Sequence, residues 1–258
     1  MEVRIAVDGR GVATVTLDRP DRHNALSPAV MDALTTAATR LGADAGVRVV
    51  VLTGAGASFC AGGDLDWMRA QFGADAATRR SEAGRLAGML MALDTLPKPL
   101  IARVNGQTFG GGVGLACVAD LAVGVDGALF GLTEVRLGLI PATIAPYVVA
   151  RIGGAMARRV FFSGRRFPAD EAVRLGILAR AVPADALDAA VESEVAPYLA
   201  AAPGAVAEGK ALVRRLSAPL DAALIQETME ALARRWDSAE AAEGVGAFLE
   251  RRSPDWGA

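Results

Sequence analysis

Polar and apolar residues alternate in two short stretches near the start of the chain, at residues 3–7 and 12–17. Alternation with a period of two is typical of strands that bury one face. Apolar residues then recur at helical spacing over 28–41, and a β-branched run follows at 48–52. Ser27 and Pro28 suit the start of that helix, because a serine hydroxyl can cap the first turn and proline fits the first helical position. The order strand, strand, helix, strand predicts a layered α/β fold.

Helical and extended segments continue to alternate through the middle of the chain. We predict a helix over 77–96 that stops before Pro97, a strand over 99–104, and a buried helix over 113–119 that follows three glycines. From Glu134 onward the pattern is mostly helical, and residues 183–252 are rich in Ala, Leu, Glu and Arg. We find no fixed-period repeat, so we predict an α/β core at 1–200 and a C-terminal helical subdomain at 201–258.

The composition predicts a chain that folds without disulfide bonds. The 258 residues are 52% hydrophobic, which is enough for a sizeable core. The two cysteines, Cys60 and Cys117, lie far apart in apolar stretches, and neither belongs to a disulfide framework or a zinc-binding spacing. We therefore expect a reducing compartment and no metal.

Charge and hydropathy narrow the range of partners. The formal net charge is −2, with 27 basic and 29 acidic residues mixed along the chain, so no broad positive surface for nucleic acid is expected. Charged residues, glycines and prolines interrupt the apolar runs well before the roughly twenty residues of a membrane span. The first residues lack the pattern of a signal peptide. We expect a cytoplasmic protein that binds neither nucleic acid nor a membrane.

Two glycine-bearing turns are the main candidates for chemistry. The segment FCAGGDL at 59–65 follows the strand at 48–52, and NGQTFGGG at 105–112 follows the strand at 99–104. Glycine lets the backbone approach a ligand, and free N–H groups at the start of a helix attract an oxyanion. Tight packing at a junction between a strand and a helix would also explain each turn alone. Neither turn matches a dinucleotide or phosphate-loop motif, which disfavours nucleotide hydrolysis.

Taken together, these motifs resemble the enoyl-CoA hydratase/isomerase (crotonase) family over most of the chain. The matching segments are LDRP at 17–20, NALS at 24–27, VLTG at 51–54, FCAGGDL at 59–65, NG at 105–106, GGG at 110–112, Asp120, Glu134, LGLIP at 137–141, EG at 243–244 and AFLERR at 247–252. The resemblance implies a crotonase-like superhelix of ββα turns with a C-terminal α-helical trimerisation subdomain, assembled as a homotrimer or hexamer.

The resemblance also implies a site for an acyl-CoA thioester and no cofactor, because coenzyme A is part of the substrate. The N–H groups of Ala61 and Gly111 are expected to bind the thioester oxygen as an oxyanion hole, next to Glu134. The expected substrate- and CoA-binding residues are Ala25, Ala61, Gly62, Gly63, Asp64, Leu65, Gly111, Gly114, Phe248 and Arg251. Phe248 and Arg251 match tail positions that meet CoA in related enzymes, although an amphipathic helix face explains them almost as well.

The acid–base residues depart from the pattern of typical hydratases in this family, which use two glutamates. Gly114 occupies the first position, and only the second, Glu134, is retained. One glutamate can serve as base and then acid in hydration, or it can shuttle a proton between the α and γ carbons as an isomerase. The segments 109–115 and 132–147 resemble hydratases of methylglutaconyl-CoA and isohexenylglutaconyl-CoA, which favours hydration of a branched enoyl-CoA. Gly114 would leave room for a branch, or would serve close helix packing.

The remaining polar candidates have mainly structural interpretations. His23 is the only histidine and no G-x-S-x-G motif accompanies it, so covalent catalysis is disfavoured. We expect His23 in a partly exposed loop near the acyl-CoA entrance and Cys60 packed in place. We expect Asp64 to cap the next helix while lining the thioester pocket, and Asp120 to have an architectural role. A non-catalytic acyl-CoA-binding or interaction protein is a further alternative, which the retained Glu134 makes less favoured.

Overall fold

The computed structural model describes residues 2–217 and, beyond them, 239, 243, 247, 250, 252, 253 and 255. The strands are β1 Val3–Val7, β2 Val12–Leu17, β3 Val49–Gly54, β4 Ser58–Cys60, β5 Leu100–Val104, β6 Gln107–Phe109, β7 Leu121–Val125, β8 Leu129–Gly131, β9 Arg166–Pro168 and β10 Arg180–Val182. The α-helices are α1 Pro28–Ala43, α2 Leu65–Gly73, α3 Ala76–Asp94, α4 Gly111–Val118, α5 Ala145–Phe161, α6 Ala169–Leu175, α7 Leu187–Leu199 and α8 Pro203–Leu216.

Two sheets form the framework. The larger has six strands in the order β1-β2-β3-β5-β7-β10, and all of its pairs are parallel except β1 with β2. The smaller has four strands in the order β4-β6-β8-β9, of which only β8 and β9 are antiparallel. Every residue of β3 is buried, as expected for a central parallel strand that is covered on both faces.

The chain alternates between the two sheets in a regular way. In each of the pairs β3/β4, β5/β6 and β7/β8, the first strand joins the larger sheet and the second joins the smaller. Helices α2 and α3 separate the first pair from the second, and α4 separates the second from the third. This repetition is the predicted stack of ββα turns, and it brings the ends of β4, β6 and β8 to one side of the smaller sheet.

The elements predicted from hydrophobic spacing are present, with ends that differ by at most two residues. The start of α1 is as predicted: Ser27 Oγ accepts a hydrogen bond from Val30 N at 3.2 Å, and Pro28 is the first helical residue. The buried helix after the glycines is α4, which begins at Gly111 rather than at residue 113. The three-residue strands β4, β6, β8, β9 and β10 were not predicted, because they are too short to show a period.

The boundary predicted at residue 200 falls between α7 and α8. Helix α8 contacts the preceding core through Lys210 Nζ, which lies 2.8 Å from Asp120 Oδ2, and through Arg214 Nε, which lies 3.0 Å from Asp94 Oδ2. Asp120 also accepts a hydrogen bond from Leu100 N at 2.7 Å, in keeping with an architectural role. Most of the predicted subdomain lies outside the described residues. Within the described part of the chain, no helix is both long and apolar enough to cross a membrane.

Candidate active site

The two glycine turns predicted from the sequence meet each other. Gly62 has a φ of +93°, a conformation that favours glycine. A Cβ added at Gly62 would lie 3.0 Å from the carbonyl oxygen of Phe109 and 3.4 Å from the nitrogen of Gly111. The backbone after β4 therefore packs directly on the backbone at the start of α4, which explains why this loop carries glycine.

The amide of Ala61 is not free to bind a ligand. Its N–H donates a hydrogen bond to the carbonyl oxygen of His23 at 3.0 Å, and Ala61 does not line the neighbouring cavity. This geometry contradicts the prediction that Ala61 supplies an oxyanion-hole donor. The motif located the right loop, but it did not identify which of its residues lines the cavity.

The amides of Gly63 and Gly111 have the properties that were expected of Ala61 and Gly111. Both residues line one cavity, and none of the described residues accepts a hydrogen bond from either N–H. Gly111 is the first residue of α4, and the first N–H groups of a helix have no acceptor within it and carry partial positive charge. Gly63 lies just before Asp64, the N-cap of α2.

The cavity has a volume of about 450 Å³ and a largely apolar wall. It is lined by Leu26, Met31, Gly63, Trp67, Met68, Gln71, Arg79, Ala83, Leu86, Gly111, Glu134 and the segment 139–144. A pocket of this size and character, with few polar groups, is typical of small-molecule sites in proteins.

Glu134 is the carboxylate of this cavity. It begins a 3-10 helix, Glu134–Leu137, and its Oε1 lies 3.0 Å from the position that a Cβ of Gly110 would occupy. Its Oε2 is buried without a hydrogen-bond partner among the described residues. Burial raises the pKa of Glu134, and a hydrogen bond with its own backbone opposes this only partly. The group is therefore suited to accept a proton.

Gly114 does not open space towards a ligand. A Cβ on Gly114 would lie 2.6 Å from Ile144 Cγ2 and 3.6 Å from Leu90 Cδ2, and Gly114 does not line the cavity. Of the two interpretations of Gly114, close packing is the one supported, and the room for a branch expected beside it is occupied by Ile144.

Among the other predicted binding residues that the structure describes, Ala25, Gly62 and Leu65 do not line the cavity. Ala25 is buried, and its carbonyl oxygen accepts a hydrogen bond from Arg19 Nη1 at 2.8 Å. Leu65 is 71% exposed. Gly62 serves the close backbone contact with Phe109. Phe248 and Arg251 lie outside the described residues.

Asp64 holds the loop in place. As predicted, it caps α2, with Oδ1 accepting hydrogen bonds from Asp66 N at 2.9 Å and Trp67 N at 3.3 Å. Its Oδ2 lies 2.9 Å from Arg19 Nη1. Burial raises the pKa of Asp64, but the hydrogen bonds from Arg19 and the two amides outweigh burial and leave that pKa below its usual value. The carboxylate therefore stays charged and structural.

Other reactive side chains are unsuited to covalent chemistry. His23 is exposed, and its Nδ1 lies 3.0 Å from Ser58 Oγ. Cys60 is fully buried, and burial raises the pKa of its thiol to about 12, so it packs as predicted. Across the described residues, no group of three His, Cys, Asp or Glu side chains is arranged to hold a metal ion.

Much of the cavity wall was not predicted from the sequence. Helix α2 contributes Trp67, Met68 and Gln71, and α3 contributes Arg79, Ala83 and Leu86. The members of each set are spaced by one, three or four positions and share one face of their helix, so a search for such faces would have found them. The segment 139–144 has no regular period and gave no comparable signal.

Comparisons with known proteins agree with this architecture. The model of the family described as enoyl-CoA hydratase/isomerase matches residues 8–258. An enoyl-CoA hydratase from Alternaria alternata is 38% identical over 206 residues, which cover 80% of this chain and 67% of that protein. The structure of an enoyl-CoA hydratase from Shewanella pealeana matches with a TM-score of 0.95 and 36% identity, over 99% of this chain and 96% of that one. Pseudomonas aeruginosa AtuE matches over 100% of both chains, with a TM-score of 0.96 and 37% identity.

The chain belongs to the enoyl-CoA hydratase/isomerase family. The predicted family and the predicted crotonase fold are confirmed. The relatives named as hydratases also agree with the predicted enzyme class, a carbon–oxygen lyase.

Proposed function

We propose that this protein is an enoyl-CoA hydratase in which the N–H groups of Gly63 and Gly111 bind the thioester oxygen and Glu134 moves the protons. The observation that carries the proposal is that one apolar cavity is lined by Gly63 and Gly111, whose amides have no acceptor among the described residues, and by Glu134, whose Oε2 is buried. Gly63 replaces Ala61 in this assignment, because the amide of Ala61 is already bonded to His23.

The proposed reaction adds water across the double bond next to the thioester. Glu134 takes a proton from water as the oxygen bonds to the β-carbon, and the electrons of the double bond move to the thioester oxygen. The two amides stabilise the resulting enolate. Removal of one such donor in other enzymes costs about 3–4 kcal/mol of transition-state stabilisation. Glu134 then returns the proton to the α-carbon, so that one group acts as base and as acid.

We extend the proposal to branched acyl groups. Support comes from the likeness of segments 109–115 and 132–147 to hydratases of branched glutaconyl thioesters, and from a cavity wall in which apolar side chains predominate. A branch would have to use space other than that beside Gly114, because Ile144 occupies that position.

A shift of the double bond is the second candidate function. The observation that favours it is the hydrocarbon side chain of Ile144 over Gly114, where a second polar group to hold water would otherwise stand. Glu134 is the only carboxylate among the described residues that line the cavity, so a proton could be carried between the α and γ carbons without water. This isomerase alternative uses the same oxyanion hole.

The experiment that separates these functions is a product analysis with three thioesters: crotonyl-CoA, 3-methylcrotonyl-CoA and 3-hexenoyl-CoA. Hydration is expected to remove the absorbance of the conjugated enoyl thioester and to add the mass of one water. Conversion of 3-hexenoyl-CoA to the 2-enoyl isomer with no hydroxyacyl product would reverse the ranking. Tight binding of CoA thioesters with no turnover of any of them, in the protein and in a Glu134→Gln control, would favour the non-catalytic alternative.

We also propose a homotrimer or a hexamer of paired trimers in the cytoplasm, on the strength of the family resemblance. Sedimentation of the purified protein is expected to give the mass of three or six chains. A monomer at micromolar concentration would contradict this proposal.

A further inference from the structure

The first turn of α4 contacts both Glu134 and Ile144. Gly110 is the N-cap of α4 and Gly114 lies one turn further on, and Gly114 N donates a hydrogen bond to Gly110 O at 3.2 Å, so the two glycines are adjacent along the helix. A Cβ on Gly110 would lie 3.0 Å from Glu134 Oε1, and a Cβ on Gly114 would lie 2.6 Å from Ile144 Cγ2. The carboxylate and the isoleucine are therefore neighbours separated by about one helical turn.

Ile144 is held firmly in this position. It is only 2% exposed and lies just before α5, where its carbonyl oxygen accepts hydrogen bonds from Tyr147 N and Val148 N, both at 3.1 Å. Its side chain nevertheless lines the cavity together with Glu134. The side chain of Ile144, next to the carboxylate of Glu134, is thus a fixed part of the cavity wall. It cannot move away from the cavity, because Gly114 packs against its other side.

We propose that Ile144 is a specificity-determining residue that limits the size of substituents on the β-carbon of the acyl group. This inference rests on the proposed function, in which Glu134 faces the α and β carbons. A group on the β-carbon that points along α4 from Glu134 would meet Ile144 within one turn. Discrimination of one methyl group by a packed apolar pocket is typically worth 10–200-fold.

The test compares ligands that differ by one β-methyl group. Dissociation constants of butyryl-CoA and 3-methylbutyryl-CoA are measured by calorimetry for the wild type, Ile144→Ala and Leu86→Ala, together with kcat/KM for crotonyl-CoA and 3-methylcrotonyl-CoA. Leu86→Ala is the matched control, because Leu86 also lines the cavity but lies on α3. Ile144→Ala is expected to shift both preferences towards the methylated ligand by about tenfold or more, whereas Leu86→Ala shifts neither by more than about twofold.

Ile144→Val is a second variant that controls for a possible folding defect in Ile144→Ala. A buried Ile→Val change costs only about 0.5–1.5 kcal/mol of stability, and we expect it to move the preference in the same direction by a smaller factor. An unchanged preference in both Ile144 variants, or an equal change in Leu86→Ala, would overturn the proposal. A wild type that hydrates no thioester would refute the proposed function. The saturated ligands bind without turnover, so the ratio of their two dissociation constants would still decide the role of Ile144.

Discussion

The carboxylate of Glu134 lies against Gly110, with its Oε1 3.0 Å from the site of an added Cβ. Gly110 also has a φ of +49°, which disfavours other residues. We therefore predict that Gly110→Ala displaces Glu134 and lowers kcat/KM by about 10²-fold, since a misplacement of 1 Å has effects of that size.

The matched control for this change is Gly88→Ala. Gly88 lies in α3, and a Cβ there would meet nothing within 4 Å. This variant should retain full activity and equal or greater thermal stability, because alanine suits a helix better than glycine. Equal activity in the Gly110 and Gly88 variants would show that the contact between Gly110 and Glu134 does not affect catalysis.

Glu134→Gln is expected to separate activity from stability. We predict a loss of about 10²–10⁴ in kcat, the usual contribution of a positioned acid–base group. Burial raises the folded-state pKa of Glu134 above its unfolded value, so the stability it contributes is present at low pH and is lost as pH rises through the folded pKa. The neutral amide should therefore raise the melting temperature at pH 7. A variant that is both less active and less stable would indicate a structural role.

The pH dependence of kcat/KM should report the same group. The carboxylate is the active base, so kcat/KM should fall as pH decreases through a pKa that burial raises above the usual value for a glutamate. In Ile144→Ala, water can reach the carboxylate more easily, and the acid limb should move to lower pH. An acid limb at the same pH in both proteins would argue against Ile144 as a cause of the desolvation.

The amide of Gly111 can be tested with proline, which replaces the N–H hydrogen with a ring carbon, and with alanine as the control that shares the added Cβ. Proline is well tolerated at the first position of a helix, which Gly111 occupies in α4. We predict that Gly111→Pro lowers kcat by about 10²–10³-fold. Gly111→Ala retains the N–H. Its Cβ would lie too close only to the end of the Leu26 side chain, at 2.7 Å, and at an ordinary contact distance of 3.7 Å from Gly62 Cα, so its loss should be much smaller. Similar losses in the two variants would point to steric damage.

Asp64 should stabilise the fold in two ways, as the N-cap of α2 and as the ion-pair partner of Arg19. Loss of an N-cap costs about 0.5–2 kcal/mol, and Asp64→Ala would also leave Arg19, whose side chain is 17% exposed, without this partner. Asp64→Asn retains a capping oxygen and should be less harmful in urea unfolding. Because the folded pKa of Asp64 is lowered, its contribution is present above the unfolded pKa and is lost as pH falls through the folded pKa. Equal unfolding midpoints at pH 7 for Asp64→Ala and Asp64→Asn would contradict a stabilising role for the cap.

The sequence predicted those parts of the fold that depend on long local patterns. Strand β3 is a continuous apolar run, and α1 has both its cap and its spacing in the sequence, so both were found. Strands of three residues, such as β4 and β6, take their conformation from their neighbours in the sheet. No local pattern therefore identified them.

The candidate site was predicted less completely, for a related reason. The glycine motifs located both loops, but the choice between the amides of Ala61 and Gly63 depends on the carbonyl of His23, which comes from another loop. Likewise, Gly114 could not be interpreted without Ile144, thirty positions further along the chain. Contacts between distant segments decide such details, and a single sequence does not display them.

The most direct test of the account is a crystal structure with a bound acyl-CoA, such as acetoacetyl-CoA. We predict that the thioester oxygen lies about 2.7–3.1 Å from both Gly63 N and Gly111 N, with Glu134 facing the adjacent carbons. A thioester oxygen bound away from these two amides, or acyl carbons out of reach of Glu134, would contradict it.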